Sequence, residues 1–296
     1  MTTLQALVLG VLQGLSEFIP ISSSGHLVLL QKLFNISEGS MNFDIFLHLA
    51  TLISLCIVMR KKLLAYLREP LGHVPKMVVL GTVPTVIIAF AFGKFFSELF
   101  ETGVSLGFGF LYTAIILYLA EKQSGEAGNS IMPDGATGKQ IARSGEAGMR
   151  IKPAGALVVG LAQGIAVTPA VSRSGSTIAA GLMTGASRAD AIEFAFLMSI
   201  PVTLLAVAQD MLKMITGGEL FSSAEAAVVG TRAAFGPVEM AVGFAAAAVT
   251  GYFSAKYMLK AIQKIKLTWF SAYVGILGAL ILLDQLFFGV VFDKFF

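Results

Sequence analysis

The sequence predicts an all-α integral membrane protein with an inverted-topology repeat, made of two re-entrant broken-helix hairpins and about six transmembrane helices. Three observations predict it. The 296 residues are 56% hydrophobic and only 13% charged, with mean hydropathy +0.80, more apolar surface than a water-soluble fold can cover. Stretches free of Lys, Arg, Asp and Glu recur along the chain, each near the ~20 residues an α-helix needs to cross a bilayer. The chain also resembles itself at an offset of 150 residues.

The expected spans are Ile45 to Met59, Met77 to Gly93, Thr102 to Ala120, Phe194 to Gln209, Met240 to Ala255 and Leu267 to Leu283. Two further apolar regions, residues 4 to 34 and 154 to 187, are interrupted by Pro, Ser and Gly clusters and read as broken helices. No Lys or Arg precedes the first apolar run, so the first segment is expected to stay in the mature protein rather than act as a secretory signal. Cys56 is the one cysteine, which excludes a disulfide framework and a Cys-based metal site.

The repeat lies in the broken segments. Gly10, Gln13, Gly14 and Leu15 are matched by Gly160, Gln163, Gly164 and Ile165, and Ser22, Ser24 and Gly25 by Ser172, Ser174 and Gly175. The first repeat is placed at 1–120 (hairpin 1–35, then three spans) and the second at 153–296 (hairpin 153–187, then three spans). A Gly- and Ser-rich cytoplasmic connector, 121–152, with Ser-Gly-Glu-Ala-Gly at 124 and again at 144, joins them. Three spans per half, an odd number, turn the second copy over relative to the first, so that discontinuous helices from opposite faces meet near the midplane. Fifteen Lys and Arg fall on one side and five on the other, with Arg173 left over; the positive-inside rule makes the first side cytoplasmic and puts both termini outside.

The polar residues of the breaks carry the chemistry. Gln13 and Glu17 are four apart and share a helix face. Pro20 ends that half-helix, and Ser22, Ser23 and Ser24 can cap the next, with His26 close behind. An ionisable group at membrane depth costs ~2.5–3.5 kcal/mol on insertion scales, which makes Glu17 a functional candidate. His48 and His73 lack such company and read as structural or incidental. The second break supplies Arg173 flanked by Ser172, Ser174 and Thr177, the bidentate donor, fixed charge and helix N-terminus that a phosphate oxyanion needs. Anion donors beside Glu17 and Gln13, which favour a hard cation, point to a diphosphate carrying a divalent metal, Mg²⁺ or Ca²⁺. The surrounding lipid-facing helices point to a substrate with a long apolar tail.

At these residues the sequence resembles the undecaprenyl-diphosphate phosphatase family, also called the bacitracin resistance family. The family's Glu/Gln-x-x-x-Glu motif is matched by Gln13 and Glu17, and its Ser-Ser-x-Gly-His element by Ser22 to His26. Pro-Gly-x-Ser-Arg-Ser-x-x-Thr is matched by Pro169 to Thr177, with Ala170 where the pattern has Gly. The resemblance implies hydrolysis of a C55 isoprenyl diphosphate to the monophosphate and phosphate, recycling the lipid carrier for peptidoglycan synthesis. It also implies an outward-opening site in the bacterial inner membrane. Glu17, Ser23, His26 and Arg173 are the expected catalytic residues; Ser22, Ser24, Ser172, Ser174 and Thr177 the phosphate-binding ones; Glu17 and Gln13 the metal ligands. The nucleophile is Ser23 activated by His26 or Glu17, then His26 itself, then water, in order of preference. Expected partners are the lipid diphosphate, membrane lipid and a second copy in a homodimer, with no nucleic acid. A carrier that moves an anionic lipid is the alternative, since inverted repeats are above all a transporter architecture.

Overall fold

The computed structural model describes residues 1–36, 40–102, 105–129, 149–216 and 236–292. In these, every regular element is helical. The first half runs α1 (Thr3–Ser16), α2 (Ser23–Leu33), α3 (Ser40–Arg68), α4 (His73–Thr102) and α5 (Leu106–Asn129). The second runs α6 (Pro153–Ile165), α7 (Arg173–Met183), α8 (Arg188–Thr216), α9 (Pro237–Ala261) and α10 (Leu267–Leu283), the last closing in a π turn, Asp284–Phe288. Each half is thus two short helices followed by three longer ones, and the short helices begin at matching positions, 3 and 153, then 23 and 173.

Local chemistry sets these boundaries. Thr2 and Gln5 form a capping box that starts α1, and Pro153 opens α6, where its missing N–H costs nothing. In each break a serine restarts the helix: Ser22 Oγ accepts from Gly25 N at 3.3 Å and Ser172 Oγ from Gly175 N at 3.0 Å. At the far end, Asp284 accepts from the N–H groups of Val290, Val291 and Phe292 and folds the chain back after α10.

Five of the described helices are long and apolar enough to cross a membrane, with spans at Phe43–Arg68, His73–Phe96, Arg188–Gln209, Pro237–Ala261 and Leu267–Phe288. The chain is therefore a multi-pass all-α membrane protein. The expected sixth span, Thr102 to Ala120, is not among the five. Thr102 belongs to the end of α4, and the apolar run of α5 stops at Glu121, whose carboxylate takes Arg188 Nη2 and the Leu267 N–H. Helix α5 itself continues to Asn129, into the segment assigned to a connector; 130–148, including the second Ser-Gly-Glu-Ala-Gly, lies outside the described residues.

Polarity is distributed as lipid demands. Gln13, Ser22, His26, Gln31, Asp44, Gln163, Ser172, Ser176 and Thr177 are buried, while Val79, Val83, Ile87, Phe90 and Trp269 face outward. The halves embrace in an exchanged pattern: α1 packs on α9 of the second half, and α6 on α4 of the first. Helix α5 packs on α10 and α3 on α8. Small residues permit the exchange, because a Cβ at Gly10 would sit 2.3 Å from Gly243 O and one at Gly160 2.0 Å from Gly81 O. Overpacking at such contacts costs about 1–3 kcal/mol. Gly10→Val and Gly160→Val are therefore each expected to lower the thermal unfolding midpoint in detergent, whereas Val83→Ala on the outer face of α4 leaves it nearly unchanged; differential scanning fluorimetry reads both.

Candidate active site

The two breaks meet. Glu17, the C-cap of α1, is almost fully enclosed, with a side chain 6% exposed, and Arg173, the first residue of α7, forms an ion pair with it through Nη2. This links the halves 156 residues apart in sequence. The other arm of the guanidinium donates to Thr203 Oγ1 on α8. Glu17 also accepts from Gln13 Nε2 at 2.9 Å and, through Oε2, from Ser23 Oγ at 2.6 Å. One carboxylate therefore gathers the amide, the hydroxyl and the guanidinium that the sequence singled out. Narrow clefts open on either side of the pair, one bounded by Phe18, Ser174, Thr177, Phe196 and Ser199, the other by Thr51, Leu52, Leu55, Ser199 and Thr203.

The remaining hydroxyls hold the frame. Ser22 and Ser172 are the caps already described, each with a second serine near its Oγ, Ser24 at 3.3 Å and Ser174 at 3.4 Å. Ser174 also donates to Ile19 O across the halves at 3.1 Å. Thr177 Oγ1 donates to Arg173 O, one turn back, at 2.8 Å, and Thr113 Oγ1 accepts from Ser172 N at 2.9 Å. The backbone is strained in both breaks, with Ser22 at φ 68° and Ala170 at φ 63°. A non-glycine residue there costs about 1–3 kcal/mol, a cost that persists where surrounding bonds over-determine the conformation.

His26 does not join the cluster. Its Nδ1 bonds to Ser22 O at 2.7 Å and its Nε2 to Tyr273 Oη at 2.8 Å, so the ring turns toward α10. Of the two activators expected for Ser23, the geometry brings Glu17 to it. His48, read from the sequence as incidental, instead stands 3.7 Å from Glu17 Oε2 through Nε2, its Nδ1 donating to Asp44 O at 2.8 Å. Its place in an apolar span was the available signal, the same that marked Glu17. Thr203 and Tyr273 gave none, since a lone hydroxyl in an apolar helix is common. His73 bonds to Ile151 O at 2.8 Å, in a structural role.

The donors fit a metal of restricted kind. Gln13 is fully buried and its Oε1 has no hydrogen-bond partner, beside a carboxylate that is already shared. Among the described residues no three His, Cys, Asp or Glu side chains gather around one point. Such a set suits a hard cation held mainly by phosphate oxygens, with one carboxylate and one amide oxygen added by the protein.

Together, an enclosed carboxylate, a hydroxyl bonded to it, a guanidinium and two capped helix N-termini meet at one place inside a multi-pass helical protein. Residues 6–280 match the model of the family described as "Bacitracin resistance protein BacA", and the chain belongs to that family. It is 42% identical to the "Undecaprenyl-diphosphatase" of Carboxydothermus hydrogenoformans over 285 residues, 96% of this chain and 98% of that one. It is 34% identical to the "Undecaprenyl-diphosphatase" of Halothermothrix orenii and 33% to "Undecaprenyl-diphosphatase 3" of Bacillus cereus, with the same coverage.

Removing one member of a buried ion pair leaves the other charge uncompensated and costs on the order of 3 kcal/mol, whereas removing both avoids that penalty. Glu17→Gln and Arg173→Gln should each lower the thermal midpoint, and the double variant should fall by less than the sum of the two.

Proposed function

We propose that the protein hydrolyses undecaprenyl diphosphate, or a closely related polyprenyl diphosphate, to the monophosphate and phosphate, recycling the lipid carrier for peptidoglycan synthesis and conferring resistance to bacitracin. The observation that carries this reading is Glu17 standing between a nucleophilic hydroxyl, Ser23, and an oxyanion-binding guanidinium, Arg173. Family membership and near full-length relatives of that name support it.

In the reaction, Arg173 exchanges its bond to Glu17 for bonds to the terminal phosphoryl oxygens, helped by Ser172, Ser174 and the first-turn N–H groups of α7. Thr203 keeps the guanidinium aimed during the exchange. Glu17 Oε2 takes the Ser23 proton as Ser23 Oγ attacks the terminal phosphorus. The bond from that phosphorus to the bridging oxygen breaks, and its electron pair leaves with the lipid monophosphate. Water then cleaves the phosphoserine, giving phosphate and restoring the hydroxyl, with Glu17 returning the proton. The residues that would hold a Mg²⁺ or Ca²⁺ are Glu17 and Gln13 through Oε1, and the ion would neutralise diphosphate charge.

The same reading takes the two halves as inverted repeats, 1–120 and 153–296, with α1–α2 and α6–α7 as re-entrant hairpins and 121–152 joining them on the cytoplasmic side. The exchanged packing of α1 on α9 and α6 on α4 supports a two-fold relation between halves. The Lys and Arg distribution supports termini and site facing outward from the inner membrane. A second copy of the chain is the expected partner in the bilayer, as a homodimer.

The test is phosphate release from undecaprenyl diphosphate by detergent-purified protein. Ser23→Ala, Glu17→Ala and Arg173→Ala are each expected to lower it by roughly 10²-fold or more, and chelation should suppress it until Mg²⁺ or Ca²⁺ is restored. No release from well-folded wild-type protein that still binds the lipid would replace the phosphatase with a carrier.

A further inference from the structure

We infer that Tyr273, on α10 of the second half, is a positioning residue of the active site, acting through His26 on the conformation of Ser22 and so on the aim of Ser23. This rests on the phosphatase reading above. The chain of contacts is explicit. Tyr273 Oη lies 2.8 Å from His26 Nε2, and the two rings stack at 5.7 Å with 15° between their planes. The edge of the His26 ring meets Phe110 of α5 at 5.3 Å and 87°. His26 Nδ1 lies 2.7 Å from Ser22 O, which also accepts the His26 backbone N–H at 3.3 Å.

The hydrogen-bond roles follow from the acceptors. A carbonyl oxygen only accepts, so Nδ1 carries a proton, and in the neutral ring Nε2 accepts from the tyrosine hydroxyl. Both nitrogens of His26 are then engaged, and neither is directed at Ser23 or Glu17. Tyr273 is 48% exposed as a residue, but its hydroxyl reaches inward to the buried His26.

What the pin holds is Ser22. This residue sits at φ 68°, immediately before the nucleophile, and its carbonyl is fixed by both donors of His26. The second half lacks the device: Ser172 has an unstrained φ of −68°, and Ser176 occupies the position 150 residues after His26. The pin therefore appears only where a hydroxyl must be aimed at Glu17 Oε2, 2.6 Å away. Small errors of placement at a reacting group cost up to about a hundredfold in rate.

Two measurements on full-length protein test the inference, with Tyr273→Phe removing the hydroxyl and keeping the ring. Steady-state phosphate release from undecaprenyl diphosphate should show kcat falling roughly tenfold, with KM within about twofold. His26→Ala should lower kcat further, and adding Tyr273→Phe to it should change nothing, because the tyrosine acts through the histidine. In ¹⁵N-histidine-labelled protein, the His26 Nε2 resonance should move away from its hydrogen-bonded position in Tyr273→Phe while the fold stays intact. An unchanged kcat in Tyr273→Phe, losses that multiply in the double variant, or an unmoved Nε2 resonance would each overturn the inference. Absence of phosphate release from wild-type protein would instead overturn the phosphatase reading, and the resonance would still report on the pin.

Discussion

Two opposite charges that hydrocarbon will not tolerate alone organise this molecule. An unpaired charge at membrane depth costs a few kcal/mol on insertion scales, and Glu17 and Arg173 are paired with each other. Because the partners lie in different halves, the pairing requires the two breaks to meet. Their meeting in turn fixes which helices can touch. Helix α1 must lie along α9 and α6 along α4, close enough that only glycine fits at Gly10 and Gly160.

The same constraint explains the polarity of the interior. In lipid a helix break exposes N–H and C=O groups that have no water to turn to, so each break must carry its own acceptors and donors. Ser22 and Ser172 cap the new helices, Ser174 reaches Ile19 O in the other half, and Thr113 accepts from Ser172 N. These bonds hold the peptide backbone where it is no longer helical, and they are also what places first-turn N–H groups beside the guanidinium. On the proposed reading, structural satisfaction and anion binding draw on one set of hydroxyls. On the phosphatase reading proposed above, a substrate phosphate would replace Glu17 as the partner of Arg173.

Legibility in the sequence followed how local each interaction is. Gln13 and Glu17 announced themselves by an i, i+4 spacing, and the serines by their place after Pro20 and Pro169. The Glu17–Arg173 contact was legible only in part: the sequence brings the two breaks together but reads Glu17 as a metal ligand and Arg173 as a phosphate donor, and the structure pairs them with each other. His26 shows the limit. It follows Ser23 by three residues on one short helix, yet its side chain points back along α2 to the carbonyl four residues earlier, and its other nitrogen meets α10, which no spacing reveals. His48 was missed for the same reason, since Glu17 lies 31 residues away on another helix. The sequence shows that the sixth expected span ends at Ala120, because Glu121 follows it, but not that this carboxylate ties α5 to the starts of α8 and α10, through Arg188 and the Leu267 N–H.

The two halves begin their short helices at matching positions but differ in the charged residues of the breaks. Were they identical, symmetry would place two carboxylates or two guanidiniums at the same meeting point, and like charges so close in a low-dielectric interior repel. At the offset of 150 the chain resolves this by divergence. Val167 stands where the first half has Glu17, and Arg173 where it has Ser23. The carboxylate and the hydroxyl bonded to it thus lie in the first half and the guanidinium in the second. Gln163, the counterpart of Gln13, stays buried, with Nε2 directed to Met198 O. The strain has divided too, to Ser22 in one break and Ala170 in the other, positions that the repeat does not equate. Glu17 therefore meets a guanidinium rather than a second carboxylate, and the charges at the meeting point compensate only because the two breaks differ in sequence.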